Sequence, residues 1–347
     1  MADNDTNNIP STDDTELYEH HRISVDRGQS MLRLDKYLQL RLDGVSRSKI
    51  QAAAKAGCIR VNGVEAKPSY KVKPCDDIGI LLPHPPHEYE LIPQYVPLTI
   101  AYEDDDVLVV DKQPGLVVHP AYGNFDGTLL NGLLHYFKDK AGSDGKTIDP
   151  LLVHRIDKDT SGLLIIAKNE MAQAALAKQF FVHSVERKYL ALVWGNFDDD
   201  EGSIDANIER SPFDRRIMHV TPDPDRGKHA VTHWHVLERF GYVTLIECVL
   251  ETGRTHQIRV HMQHIGHPLF NDATYGGSRI LKGTTFSHYK QFVQNTFQII
   301  PRQALHATIL GFEHPTTGEH VHLESPLPED FAIALQRWRT YTSAQQS

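Results

Sequence analysis

Residues 154–162 read His-Arg-Ile-Asp-Lys-Asp-Thr-Ser-Gly, a polar run set between the apolar stretches Leu151-Leu152-Val153 and Leu163-Leu164-Ile165-Ile166. Ionisable side chains on a short turn between two buried segments are held rigidly enough to react. The run holds two carboxylates, Asp157 and Asp159, and carboxylates serve as nucleophiles or as general acids and bases. Their i, i+2 spacing in a turn fixes no separation between the two groups, so glycoside hydrolysis is one open reading. A turn whose Asp, Thr160 and Ser161 side chains merely accept backbone hydrogen bonds is another.

Two later segments carry further reactive types. Residues 187–195, Arg-Lys-Tyr-Leu-Ala-Leu-Val-Trp-Gly, alternate as a strand that includes Tyr189, and residues 252–261 read Thr-Gly-Arg-Thr-His-Gln-Ile-Arg-Val-His. Ile258, Met262 and Ile265 fall at i, i+4 and i+7, which predicts a helix over Thr255–Ile265 and leaves His256 and Arg259 off its apolar face. Among the 21 histidines, His229, His233 and His235 have a suggestive spacing, but they read as strand residues without a Cys or Glu partner set. No metal site is expected. The acidic runs Glu103–Asp106 and Asp198–Glu201 read as solvated loops.

As a whole, residues 154–162 resemble the signature of the RluA family of pseudouridine synthases, with Ile156 where leucine is usual. Residues 187–195 and 252–261 resemble two further motifs of that family in the same order. The blocks Val117-Val118-His119-Pro120, Gly123–Thr128, Gly266–Leu269 and Arg302–Ala307 agree with it. Lys112-Gln113-Pro114-Gly115 departs from the family wording, and residues 278–301 match no motif.

The resemblance implies an isomerase that breaks the N1–C1′ bond of uridine and rejoins the base through C5. Such a reaction involves no redox change and requires no cofactor. It makes Asp157 the attacking carboxylate, Arg259 the cation that keeps it charged, and Tyr189 the ring that stacks on uracil and helps remove the C5 proton. Arg155 takes the space of the extruded nucleotide, and Arg254 and Gln257 are placed against RNA, Arg254 beside a helix N-terminus that favours phosphate.

A basic block precedes these motifs. Residues 30–75 hold ten Lys and Arg against three acids, whereas residues 1–20 hold six acids and no Lys or Arg. The net charge of −9 therefore conceals a strongly positive segment suited to phosphates. Met31, Leu34, Leu38 and Leu42 predict a first helix, Arg47–Ala56 a second ended by Gly57, and Asn62-Gly63 a tight hairpin after Ile59-Arg60-Val61. Arg33–Leu38, Ser46–Lys49 and Val61-Asn62-Gly63 resemble the S4 RNA-binding domain over about residues 30–80, which implies that Arg33, Lys36, Arg47 and Lys49 contact RNA. With this domain in front, the resemblance narrows to the family's ribosomal large-subunit branch, and in wording to its synthase D branch.

The elements that must position these residues mix strands (Val107–Val110, Leu163–Ala167, Tyr189–Trp194, Val243–Leu250) with helices (Leu129–Phe137, Glu170–Phe181). Strands adjacent without intervening helices predict an α+β fold on a largely antiparallel sheet, preceded by a small S4-like α/β domain. The expected organisation is an acidic disordered tail over 1–22, the S4-like domain over 23–82, a proline-rich linker over 83–97 and the catalytic domain over 98–342. Three scattered cysteines suggest no disulfide framework, and no apolar run is long enough to span a bilayer. A cytoplasmic monomer is expected, acting on large-subunit ribosomal RNA or an assembling large-subunit particle, without a membrane. A non-catalytic RNA-binding or assembly factor on the same scaffold is the alternative, and Asp157, Tyr189 and Arg259 together speak against it.

Overall fold

The computed structural model describes residues 18–42, 47–82, 91–120, 124, 126–138, 140, 148–211, 214 and 217–346. The chain divides into two units, Met1–Glu90 and Leu91–Ser347.

In the first unit the helices Leu34–Gln39 and Arg47–Lys55 accompany a four-stranded antiparallel sheet ordered Tyr18–Ser24, Asp77–Leu82, Ile59–Val61, Val64–Glu65. Leu34, Tyr37, Leu38, Ile50, Ile59, Val61 and Ile78 form its core. The predicted hairpin is present: Asn62 and Gly63 both take positive φ, 52° and 82°, as a two-residue turn with the right twist requires. Two expectations are corrected. The first helix begins only at Leu34 and Met31 lies exposed outside it, because Leu32–Arg33 pair instead with Lys71–Val72. The tail expected to reach residue 22 gives way at Tyr18 to a strand that satisfies the ladder of Asp77–Leu82. Residues 1–17, Ser46, Gly123 and Phe125 lie outside the described residues.

The second unit is built on a ten-stranded sheet. Its main path runs Glu201–Asp205, Val231–Arg239, Val243–Leu250, Glu186–Trp194, Leu305–Glu313, Ser161–Ala167, Val107–Lys112, Thr99–Glu103, with His320–Glu324 added to Leu305–Glu313 and Leu151–Leu152 to Ser161–Ala167. The fold is α+β, and among the described residues one pair alone in this sheet is parallel, Ser161–Ala167 with Leu305–Glu313. At that junction Gly162 has φ 110°, and a Cβ there would stand 2.1 Å from the Ala307 carbonyl oxygen. Only glycine lets the two backbones close directly after the 154–161 turn.

Leu108, Val110, Leu164, Ile166, Ala191 and Val193 of the sheet share a core with Leu129 and Leu133 of the helix Leu129–Lys138 and with Ile258 and Met262 of the helix Gln257–His264. Residues 278–301, which match no motif, contain the helix Ser287–Ile299, whose Tyr289, Val293 and Phe297 pack with Trp194, Phe331 and Trp338. Of the expected linker over 83–97, residues 83–90, with Pro83, Pro85 and Pro86, lie outside the described residues. Residues 91–97 are fastened to the second unit: Gln94 N–H donates to the Asn131 carbonyl, and Asn131 Nδ2 donates to the Ile92 carbonyl. Prolines have no N–H for a ladder, and an extended strap held by such isolated bonds suits them.

Candidate active site

The turn bearing Asp157 connects Leu151–Leu152 to Ser161–Ala167 and is closed by Thr160 N–H donating to the Asp157 carbonyl. Three ties fix it from outside. Ile165 N–H donates to His154 Nε2, and the His154 ring stacks on Phe180 with centroids 4.7 Å apart. Arg302 Nη1 donates to the Asp159 carbonyl while its other edge grips Asp330. Lys112, fully buried, donates from Nζ to the carbonyls of Gln113, Leu116 and Lys158 at 2.8–2.9 Å. Burial pushes its ammonium down to about 7, with the charge of Asp159 opposing the shift. Three acceptors at that distance take all three N–H bonds, which only the ammonium form can supply.

The Asp157 side chain lines a cavity of about 460 Å³. Arg259 Nη1 donates to its Oδ2 at 2.9 Å. The remaining edge of that guanidinium is held by the buried Asp272, Nε to Oδ2 at 2.7 Å and Nη2 to Oδ1 at 2.9 Å. Asp272 is fixed in turn by the backbone N–H groups of Thr274 and Tyr275. Burial works against the charge on Arg259, but the two carboxylates outweigh it and raise its pKa. The Tyr275 ring underlies the guanidinium at 4.9 Å. Its hydroxyl pairs with His256 Nδ1 at 2.7 Å, and His256 Nε2 stands 3.9 Å from Asp157 Oδ1. His256, in the left-handed region at the N-cap position of the helix Gln257–His264, makes no side-chain cap bond and lines the cavity.

Tyr189, on a strand of the sheet, is on the wall of the same cavity and buried, and burial raises its hydroxyl pKa. Four arginines, Arg155, Arg187, Arg254 and Arg259, line this space against the single carboxylate of Asp157. A chain of net negative charge thus turns a positive pocket outward. Buried Arg187 stacks over Phe180 at 5.3 Å, and its Nε has no hydrogen-bond partner among the described residues.

The structure brings Asp157, Tyr189 and Arg259 together, with Arg155 exposed at the rim. Arg254 is at the rim too, its Nε donating to the His229 carbonyl. Gln257 is a correction. It is buried and spent within the protein, Oε1 accepting from Thr252 Oγ1 and Arg254 N–H, Nε2 donating to the Val231 carbonyl and Thr232 Oγ1. It therefore ties the 252–257 loop to a strand and has no polar atom left for RNA. In the first unit Arg33 and Arg47 converge on the buried Asp35, together with Gln51. Each keeps a partly exposed guanidinium. Lys36 is exposed, and the Lys49 side chain lies outside the described residues.

His229, His233 and His235 do not converge: each meets its own carboxylate, Asp205, Glu251 and Glu201. Asp272, His256, Tyr275, Lys112 and Arg302 were not foreseen as parts of the site. Asp272 and Tyr275 follow the Gly266–Leu269 block closely, and Lys112 and Arg302 open blocks noted in the sequence, but nothing in residue order tells that they meet Asp157 or its turn.

Residues 106–264 match the family model described as RNA pseudouridylate synthase, and residues 32–78 match the S4 domain. An uncharacterized RNA pseudouridine synthase of Chlorobaculum parvum is 46% identical over 94% of this chain and 99% of its own. A ribosomal large subunit pseudouridine synthase D of Zymomonas mobilis is 42% identical over 88% of this chain and 93% of its own. Among solved structures, that of human RNA pseudouridylate synthase domain containing 1 superposes with TM-score 0.51 at 27% identity, covering 72% of this chain and 95% of the human one.

Proposed function

The chain belongs to the RNA pseudouridylate synthase family, and from that premise we propose that it converts uridines of large-subunit ribosomal RNA to pseudouridine with Asp157 as the attacking carboxylate. The observation that carries the reading is the Asp157 carboxylate facing a cavity large enough for a nucleobase, ion-paired to Arg259 and walled by Tyr189. The large subunit enters through relatives such as the ribosomal large subunit pseudouridine synthase D of Zymomonas mobilis.

In this reading a uridine leaves its stack at a cost of a few kcal/mol and enters the cavity, Arg155 occupying its place. Arg259 holds the Asp157 carboxylate at the cavity as the base closes over it. Asp157 attacks C1′ and forms an O–C1′ bond as the N1–C1′ electron pair leaves with the base. Uracil turns on the Tyr189 ring, C5 bonds to C1′ as the O–C1′ bond breaks and restores the carboxylate, and the C5 proton is lost as N1 regains one. Arg254 and the S4-domain cations Arg33, Lys36, Arg47 and Lys49 contribute phosphate contacts, and the protein works as a cytoplasmic monomer on ribosomal RNA or the assembling particle.

The test has two parts. Asp157→Asn is expected to fold, bind RNA and release no tritium from ribosomal RNA labelled at uridine C5; substantial residual release overturns the role of Asp157. Mapping pseudouridines by chemical adduct stops in cells with and without the gene is expected to show loss in large-subunit RNA. Loss confined to transfer RNA overturns the substrate.

A further inference from the structure

At the start of the strand that carries Tyr189, and on the two strands beyond it, a glutamate and two histidines converge over a glycine. Glu186 is paired with Gly311, and Gly311 with His322, so the three residues form one row across the strands Glu186–Trp194, Leu305–Glu313 and His320–Glu324. Gly311 leaves the middle of the row empty. A Cβ there would stand 2.8 Å from Glu186 Oε2 and 3.3 Å from His320 Nε2. His320 and His322, two apart on one strand, point to the same side. His322 Nδ1 stands 3.1 Å from Glu186 Oε2, and one ligand atom from each of the three residues lies within 4.8 Å of the others.

We infer that Glu186, His320 and His322 form a binding site for one divalent transition ion of the zinc class. Two imidazoles and a carboxylate are the donor set that zinc takes in three-ligand protein sites, with water completing the tetrahedron. Bonds of about 2.0–2.2 Å place tetrahedral ligands roughly 3.4 Å apart, so small side-chain rotations of the exposed imidazoles bring the three atoms into range. The other Glu186 oxygen faces Lys188 at 3.9 Å, and Lys188 is shared with Glu247 at 3.7 Å, which leaves Oε2 for the ion. His229, His233 and His235 each have a carboxylate to themselves, whereas here two histidines share one. None of the three ligands lines the cavity around Asp157, so the site is separate from the catalytic one. Its ion fastens the edge strand His320–Glu324 to the central strands.

The test uses the full-length, tag-free chain stripped with a chelator and titrated with zinc chloride alone. Wild type is expected to bind one zinc per chain by calorimetry and to gain thermal midpoint as zinc is added, since an ion that binds only the folded state stabilises it. His320→Ala combined with His322→Ala, and separately Glu186→Gln, are expected to weaken that binding at least about tenfold and to abolish the gain. All three proteins are expected to pseudouridylate RNA equally without zinc, which shows that the sheet is intact. Equal zinc affinity and thermal gain in the double variant, or no uptake by wild type in roughly tenfold zinc excess, overturns the site.

Discussion

Arg259 donates to Asp157 across 2.9 Å only because the rest of its guanidinium is clamped by both oxygens of Asp272. A flexible arginine satisfies a carboxylate in many geometries; one gripped on its far edge offers a single N–H in a single place. The counter-ion is thus positioned by a residue that does not touch the cavity.

Asp272→Asn is therefore expected to lower turnover by about 100-fold, the order of loss that a displacement near 1 Å produces. RNA affinity should change little. Arg259→Lys keeps the charge and loses the fork, and should fall as far. Single-turnover tritium release beside a filter-binding Kd checks both; an Asp272→Asn protein with near wild-type turnover removes Asp272 from the positioning role.

Tyr189 carries two separable properties, its ring and its hydroxyl. Tyr189→Phe is expected to retain RNA affinity within about twofold while losing about 100-fold or more in turnover, the range for loss of a proton-transfer group. Tyr189→Leu should lose affinity as well, since base stacking on an aromatic ring amounts to about 1–3 kcal/mol. Equal turnover in wild type and Tyr189→Phe confines the residue to stacking.

Lys112 reaches the catalytic turn from behind through the Lys158 carbonyl. Lys112→Met fills the same space without donors and frees three carbonyls, each hydrogen bond contributing about 1 kcal/mol. The expected result is a kcat lowered about tenfold or more with KM nearly unchanged, because the turn shifts while the RNA contacts stay. A change confined to KM contradicts a positioning role.

His154 accepts a hydrogen bond from Ile165 N–H at Nε2, so folding requires that nitrogen to be unprotonated. Burial, and then the charge of Arg187, push its pKa down to about 3. Between that value and its unfolded pKa of about 6.5 the unfolded chain binds the extra proton. The stability His154 contributes is full above about 6.5 and is lost as pH falls toward 3, amounting to about 2 kcal/mol by pH 5. Urea midpoints at pH 7 and 5 should show a smaller acid loss in His154→Gln than in wild type; equal losses place the acid sensitivity elsewhere.

The strands Val107–Lys112 and Val243–Leu250 were legible as apolar runs buried on both faces, and the helix Gln257–His264 by the period of its buried face. Asp157, Tyr189 and Arg259 were legible through their surroundings in three separate motifs, not through any property of a lone Asp, Tyr or Arg. Residue order could not reveal that Asp272 clamps Arg259 or that Lys112 lies beneath the turn, because those are contacts across the fold. Gln257 looked available because it sits in a polar motif; its amide proved to be the internal fastening of that loop. The short helix at Leu34 and the strand at Tyr18 differ from expectation because ladder pairing overrode local pattern.

The strand Leu305–Glu313, lying between Ser161–Ala167 and Glu186–Trp194, is a late stretch of the chain that completes the middle of the sheet. During synthesis at about 5–20 residues per second, Gly162 waits for Ala307 and the Asp159 carbonyl waits for Arg302. Until both have left the ribosome the sheet is two halves and the catalytic turn has no parallel neighbour. A chain ended before Arg302 consequently lacks both ties to the catalytic turn, and the long loop that must close between them slows folding.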